Sequence, residues 1–126
     1  MGSDSDWPIL KPAYELLKKF DIEAEVIVAS AHRTPARVKE IVTTAPERGV
    51  CAFISAAGAA AHLGGVIASY TTLPVIGVPI NATALNGMDA LLSTVQMPSG
   101  SPVATMAING AKNAAIFVVE MFAISN

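Results

Sequence analysis

The sequence predicts an α/β fold, a doubly wound parallel sheet in three layers, and three observations predict it. Short apolar runs of strand length alternate with longer segments whose apolar residues recur at helical spacing. The central runs are apolar throughout instead of alternating, as strands covered on both faces are. Each central run is followed by a loop of small residues. With 126 residues the chain is read as a single domain, residues 1–126, with room for one core.

The elements follow in order. Asp6 is suited to cap a first helix, in which Leu10, Ala13, Leu16 or Leu17, and Phe20 keep helical spacing; Pro12 interrupts its amide ladder and is expected to bend or delay it. Residues 22–29 read as a strand, with Ala24, Val26 and Val28 on one face and Ile27 opposite. Thr34 is expected to accept from free amides of the next turn and Pro35 suits the first helical position, so a helix starts there and carries Val38, Ile41, Val42 and Ala45. Residues 50–55 and 73–78 read as central parallel strands, 86–93 as a short helix capped at Asn86, 103–108 as a last strand and 111–124 as a final helix. That helix is apolar nearly all round, with Lys112, Asn113 and Glu120 as its polar positions, which suits burial between subunits.

Composition narrows the function classes. A net charge of −2 with 14% charged residues provides no basic field, so nucleic acid is not an expected partner. Hydrophobic residues make up 52%, yet the longest apolar runs, 50–61 and 114–125, are broken by Ser55 and Gly58 and by Glu120, so no membrane span is expected. The apolar surplus is expected to meet other subunits. Cys51 is the one cysteine, which excludes an internal disulfide and a cysteine-based metal cluster. With neither a basic stretch nor an apolar signal core in the first residues, a cytoplasmic location is expected.

His32 and Arg33 stand side by side where the predicted strand 22–29 gives way to a helix. In open parallel sheets ligands bind outside the carboxyl ends of strands, where helix amino ends offer free N–H groups and a positive dipole. The plain alternatives are an ordinary capped helix start for Gly2, Ser3 and Ser5, a helix-start histidine satisfied by backbone for His32, and a solvated surface arginine for Arg33. A guanidinium at a strand end suits an anion, because it offers paired donors and keeps its charge. The Ala/Gly run of residues 55–65 around His62 suits close backbone approach to a ligand as well as tight alanine packing.

Five motifs occur in register: Met1-Gly2-Ser3-Asp4-Ser5-Asp6, Ser30-Ala31-His32-Arg33-Thr34-Pro35, Ala60-Ala61-His62-Leu63, Pro74-Val75-Ile76-Gly77-Val78-Pro79, and Gln96-Met97-Pro98 through Pro102-Val103-Ala104-Thr105. Together, over practically the whole chain, they closely resemble the N5-carboxyaminoimidazole ribonucleotide mutases, the PurE family of purine biosynthesis, in its bacterial-type branch. The resemblance implies a flavodoxin-like order, an aminoimidazole ribonucleotide substrate, and transfer of its carboxyl group from the exocyclic nitrogen to ring carbon four. It implies that Ser3, Ser30 and Arg33 hold the nucleotide, phosphate especially, and that Asp6 accepts from ribose hydroxyls. Gly58 and His62 are placed in the substrate pocket, and a small dry cavity there would retain carbon dioxide between the half-reactions. His32 is the expected catalytic residue, since an imidazole both donates and recovers a proton near neutrality. No metal, biotin or ATP is expected, in line with the lack of a metal-ligand cluster or P-loop in the sequence. A homo-octamer with sites at subunit junctions is implied as well.

The chain departs from that pattern in two places. The loop before His62 has less glycine than is usual, at Ala59, and Gly64 stands where the family has proline. Relatives also have an apolar strand ahead of the Gly-Ser turn and a further helix beyond the last one here. A sheet lacking that central strand would hold an empty slot between residues 22–29 and 50–55, so the expectation is an incomplete polypeptide or a slot filled by another segment. Two other readings stay open at this stage: a carboxylase acting on free aminoimidazole ribonucleotide and carbon dioxide, and a noncatalytic nucleotide-binding or assembly module.

Overall fold

The computed structural model describes residues 1–125. Three parallel strands, β1 (Phe53–Gly58), β2 (Val75–Ile80) and β3 (Ala104–Thr105), form one sheet in the order β1-β2-β3. Phe53 stands opposite Val75 and Gly58 opposite Ile80, while Ile76 and Gly77 pair with Ala104 and Thr105. Every residue of β2 is buried, as its unbroken apolar run requires of a strand covered on both faces. The observed central strands begin two to three residues later than the apolar runs suggested, because the leading residues of each run serve as the approach to the sheet. The last strand shrinks to two residues: it lies at an edge, with only β2 beside it.

Helices cover both faces. On one side α1 (Trp7–Lys19) and α5 (Ala111–Ser125) pack Leu10, Ala13, Leu17, Ala114 and Val118 against Ile76, Val78 and Ile80. On the other, α2 (Pro35–Thr44) and α3 (Leu63–Tyr70) pack Val38, Val42, Leu63 and Ile67 against Val75 and Val103. There α4 (Met88–Val95) approaches so closely that a Cβ on Gly77 would lie 2.5 Å from the Thr94 side chain. Helix α3 begins at the end of the Ala/Gly loop of residues 55–65 and runs through residues to which the sequence reading gives no element; Leu63, Val66, Ile67 and Tyr70 give it helical spacing that the surrounding alanines and glycines mask. Pro12 lies inside α1 and the helix runs through it, losing one amide from the ladder.

Two caps differ from expectation. Ser3, not Asp6, caps the first turn, a short 3-10 segment over Asp4–Asp6, and Asp6 closes the box by accepting from the Ser3 amide at 3.1 Å. Asn86 adopts a left-handed conformation, φ 55°, and α4 starts one residue later from Gly87.

Residues 22–29 form no strand, and this corrects the sequence reading. The segment has a ladder partner only at its end, where the Met1 amino group donates to the Ile27 carbonyl at 2.9 Å and the Ala29 amide donates to the Met1 carbonyl at 2.9 Å. These two bonds flank Val28 in the pattern of a parallel bridge. On its other side the Gly2 amide donates to the Ala56 carbonyl at 3.0 Å. Ile27 and Ala29 turn toward α2, whereas Val26 and Val28, on the opposite face, are exposed. Beside them runs a trench of about 1230 Å³ between residues 22–27 and 50–54. The slot expected from sequence is therefore present among the described residues, and it stays open to solvent, so its backbone groups reach water.

Candidate active site

The loops at the carboxyl ends of the sheet carry the residues singled out from sequence. The turn after residue 29 closes on itself: the Thr34 hydroxyl accepts from the Ser30 amide at 2.9 Å and donates to the Ser30 carbonyl, and the Arg33 amide donates to the Ser30 hydroxyl at 3.1 Å. Thr34 thus ties the turn backward and makes no side-chain cap on α2, contrary to expectation. His32 and Arg33 stand on this turn, both exposed, with Arg33 free of any ion pair among the described residues.

His62 meets His32 from the loop between β1 and α3. The two rings stand edge to face, interplanar angle 81°, with His32 Nε2 2.8 Å from His62 Nδ1. One of those nitrogens carries the proton and the other accepts it. Sequence reasoning placed His62 in the pocket without this contact, since thirty residues separate the two.

The strand-to-loop passage leading to His62 is tightly constrained. A Cβ on Gly58 would lie 2.7 Å from the Ala82 methyl group, so packing between the ends of β1 and β2 demands glycine there. Ala59 then takes a left-handed φ of 53°, a conformation that favours glycine. The buried Ala61 amide donates to the Ser93 hydroxyl at 2.9 Å, and that hydroxyl donates to the Asp89 carbonyl at 2.7 Å. Ser93 on α4 therefore anchors the loop that presents His62. Sequence reasoning missed it; a lone serine after Leu91-Leu92 in a short apolar helix was the available signal.

Ser3, half-buried, joins its hydroxyl to that of Ser5 at 2.8 Å, and accepts from the Ser5 amide. Asp6 is 5% exposed. Burial raises its carboxyl above the ordinary range, an effect opposed by the Ser3 amide and the Met1 ammonium. A Cβ on Gly2 would meet Ala57 at 3.9 Å, ordinary contact, so the fold itself does not require glycine at that turn. The Ala/Gly loop does not enclose a dry cavity: Ala59, Ala60 and His62 are exposed, and the large trench is lined by none of these site residues.

Two imidazoles in contact, with a free guanidinium and a serine-rich turn among the loops at the same end of one parallel sheet, suit proton transfer on an anionic ligand. The family model described as AIR carboxylase matches residues 1–126.

The chain belongs to the AIR carboxylase family.

A relative from Pyrococcus abyssi named N5-carboxyaminoimidazole ribonucleotide mutase is 56% identical over 98% of this chain and 71% of its own length. One of the same name from Thermotoga maritima is 55% identical over 98% of this chain and 72% of its own. The crystal structure of Treponema denticola PurE superposes with a TM-score of 0.87 at 27% identity, covering all of this chain and 78% of that one. As a member of the AIR carboxylase family, the chain has an open parallel sheet that matches the flavodoxin-like expectation.

Proposed function

We infer that this protein is an N5-carboxyaminoimidazole ribonucleotide mutase, moving a carboxyl group from the exocyclic nitrogen of an aminoimidazole ribonucleotide to ring carbon four. The contact between His32 and His62 carries the reading at the level of chemistry, and the names of relatives more than half identical over nearly the whole chain support it.

The reaction sets the roles. The N–C bond of the carbamate breaks, its electron pair returns to nitrogen, and that nitrogen takes a proton as carbon dioxide leaves. The enamine-like ring carbon then attacks carbon dioxide, forming the new C–C bond, and finally loses its own proton to restore aromaticity. His32 serves both transfers, since the isomerisation has no net proton change. A protonated His32 donates its Nε2–H to neutral His62, which leaves Nδ1 of His32, without a partner among the described residues, to exchange a proton with substrate. His62 orients that ring and shares its charge.

Arg33, with Ser3 and Ser30, grips the phosphate, Asp6 accepts from ribose hydroxyls, and the backbone at Gly58 borders the heterocycle. The reaction runs without metal, biotin or ATP. We further propose a cytoplasmic homo-octamer in which a neighbouring subunit covers the site. The exposed Leu85, Met88, Leu92 and Val95 lie on and before the helix that anchors the His62 loop, and they offer an apolar contact for that neighbour.

Replacing His32 by Asn tests the assignment. Nucleotide binding is expected to stay within about threefold, while turnover of the carbamate nucleotide falls by roughly 10²- to 10⁴-fold, the usual range for losing a general acid–base group. Unchanged turnover removes His32 from the mechanism.

A further inference from the structure

We propose that Asn109 is a positioning residue for the site: its side-chain carbonyl continues the β2 ladder past Ile80 and so fixes the loop of residues 81–87 against the passage from Gly58 to His62. The Asn109 amide donates to the Pro79 carbonyl at 2.8 Å, and the Asn81 amide donates to Asn109 Oδ1 at 3.0 Å. In a parallel ladder one residue donates to the carbonyl before its partner and accepts from the amide after it. Asn109 does both around Ile80, with the acceptor taken from its side chain. The register that pairs Ile76 with Ala104 would set Ile108 opposite Ile80, so Asn109 arrives there one residue late, after a bulge. Its φ of 59° turns its own carbonyl away, where it accepts from the Ala111 amide at 2.9 Å. Asparagine adopts that backbone more readily than other side-chain-bearing residues, and its carboxamide supplies the acceptor the ladder has lost.

The turn that carries Asn109 holds the loop at both ends. Asn81 opens the loop, and Ile108 closes on Gly87 so tightly that a Cβ there would lie 2.6 Å from its Cγ2. Between them the Thr83 hydroxyl donates to Asp89 Oδ2 at 2.8 Å, which ties the loop to α4. Ala82, next to Asn81, fills the space over Gly58. Ser93 grips Ala61 from α4, so the passage to His62 is held from two sides, and Asn109 governs one of them. The 2.8 Å contact between His32 and His62 depends on where that passage delivers the second ring. Asn81 and Asn109 are both exposed, so water satisfies the Asn81 amide once the side chain is removed. What is lost is direction, not the fold.

The kinetic consequence rests on the mutase reading, and the structural one does not. Asn109→Gly keeps the left-handed backbone and removes the acceptor, whereas Asn109→Asp keeps an acceptor oxygen at the same reach. In Asn109→Gly the Asn81 amide is expected to exchange about tenfold faster, and the imidazole NMR signals of His32 and His62 to shift. Its kcat should fall about 5- to 20-fold with KM within about twofold, as for a misplaced reacting group, and Asn109→Asp should bring kcat back to within about threefold of the parent. Unmoved imidazole signals, an unchanged kcat in an active parent, or equal losses in the Gly and Asp variants overturn the proposal. If the parent does not turn over the carbamate nucleotide, the mutase reading falls, and the imidazole signals alone decide the role of Asn109. Ala82→Gly tests the contact that transmits the effect, and it decides the matter if Asn109→Gly fails to fold. Shifted imidazole signals with Asn81 exchange unchanged support the proposal, and unmoved signals overturn it.

Discussion

Ala59 holds a left-handed backbone at the entrance to the His62 loop, with a φ of 53°. A side chain there costs about 1 kcal/mol relative to glycine, so Ala59→Gly is expected to raise the unfolding free energy by about that amount in a urea titration. A fall in stability would mean that the alanine methyl contributes packing beyond its strain. Gly64 predicts the opposite substitution. A Cβ there would lie 3.5 Å from Ser55 Oγ and from Val103 Cγ1, ordinary contact near the start of α3. Gly64→Ala should therefore stabilise by about 0.5–1 kcal/mol through the unfolded chain's lost freedom. Both positions depart from the family pattern that the sequence resembles. Their physical meaning needed φ and the neighbouring atoms, which no composition carries. The Met1 amino group gives a pH prediction. Its value is depressed by burial, so the folded chain favours the neutral amine. That contribution is fully present above the ordinary value of 8.0 and is lost as pH falls through the lowered one. Stability should fall as pH drops through the window just under 8.0, and acetylation of Met1 should flatten that slope.

At the level of elements, helices and central strands were legible because their apolar residues repeat with the period of the element, as Val38, Ile41, Val42 and Ala45 do. Helix α3 was not, since its glycines and alanines blur the period and only Leu63, Val66, Ile67 and Tyr70 mark it. Residues 22–29 misled for a different reason. Their pattern is that of a strand, but strand structure is a property of two chains of backbone, and the neighbour is present only at Met1. The segment is held instead by Arg48, which reaches Glu25 at 3.1 Å and also bonds to Thr44 and the Ile41 carbonyl. Coupling between elements decides the site as well. Ser93→Ala leaves the buried Ala61 amide without its acceptor, at a cost of about 1–3 kcal/mol, and frees the His62 loop from α4. The expected kinetic signature is a lower kcat with KM little changed, because His62 is assigned to orient His32, not to hold nucleotide. An unchanged kcat would separate the loop anchor from catalysis.

For the molecule as a whole, the sheet divides the two large features. The trench interrupts the side where Met1 ends the ladder, and the candidate site occupies the loops beyond the strands' carboxyl ends. His32 and Arg33 were readable as a pair because adjacency in sequence is adjacency in space, whereas the His32–His62 contact depended on a fold that brings two loops together. Both rings have open surroundings, so under the proposed octamer the retention of carbon dioxide falls to a neighbouring subunit. Specific activity is accordingly expected to rise with protein concentration until subunits associate, then to plateau, and sedimentation run in parallel should show the same midpoint. The most direct test of the carboxyl-transfer account follows the carbon itself. The carbamate nucleotide is labelled with ¹³C at its carboxyl carbon and incubated with the assembled protein in excess unlabelled bicarbonate. The expected product carries the label in its carboxylate at ring carbon four; unlabelled product, or no product at all, would overturn the transfer.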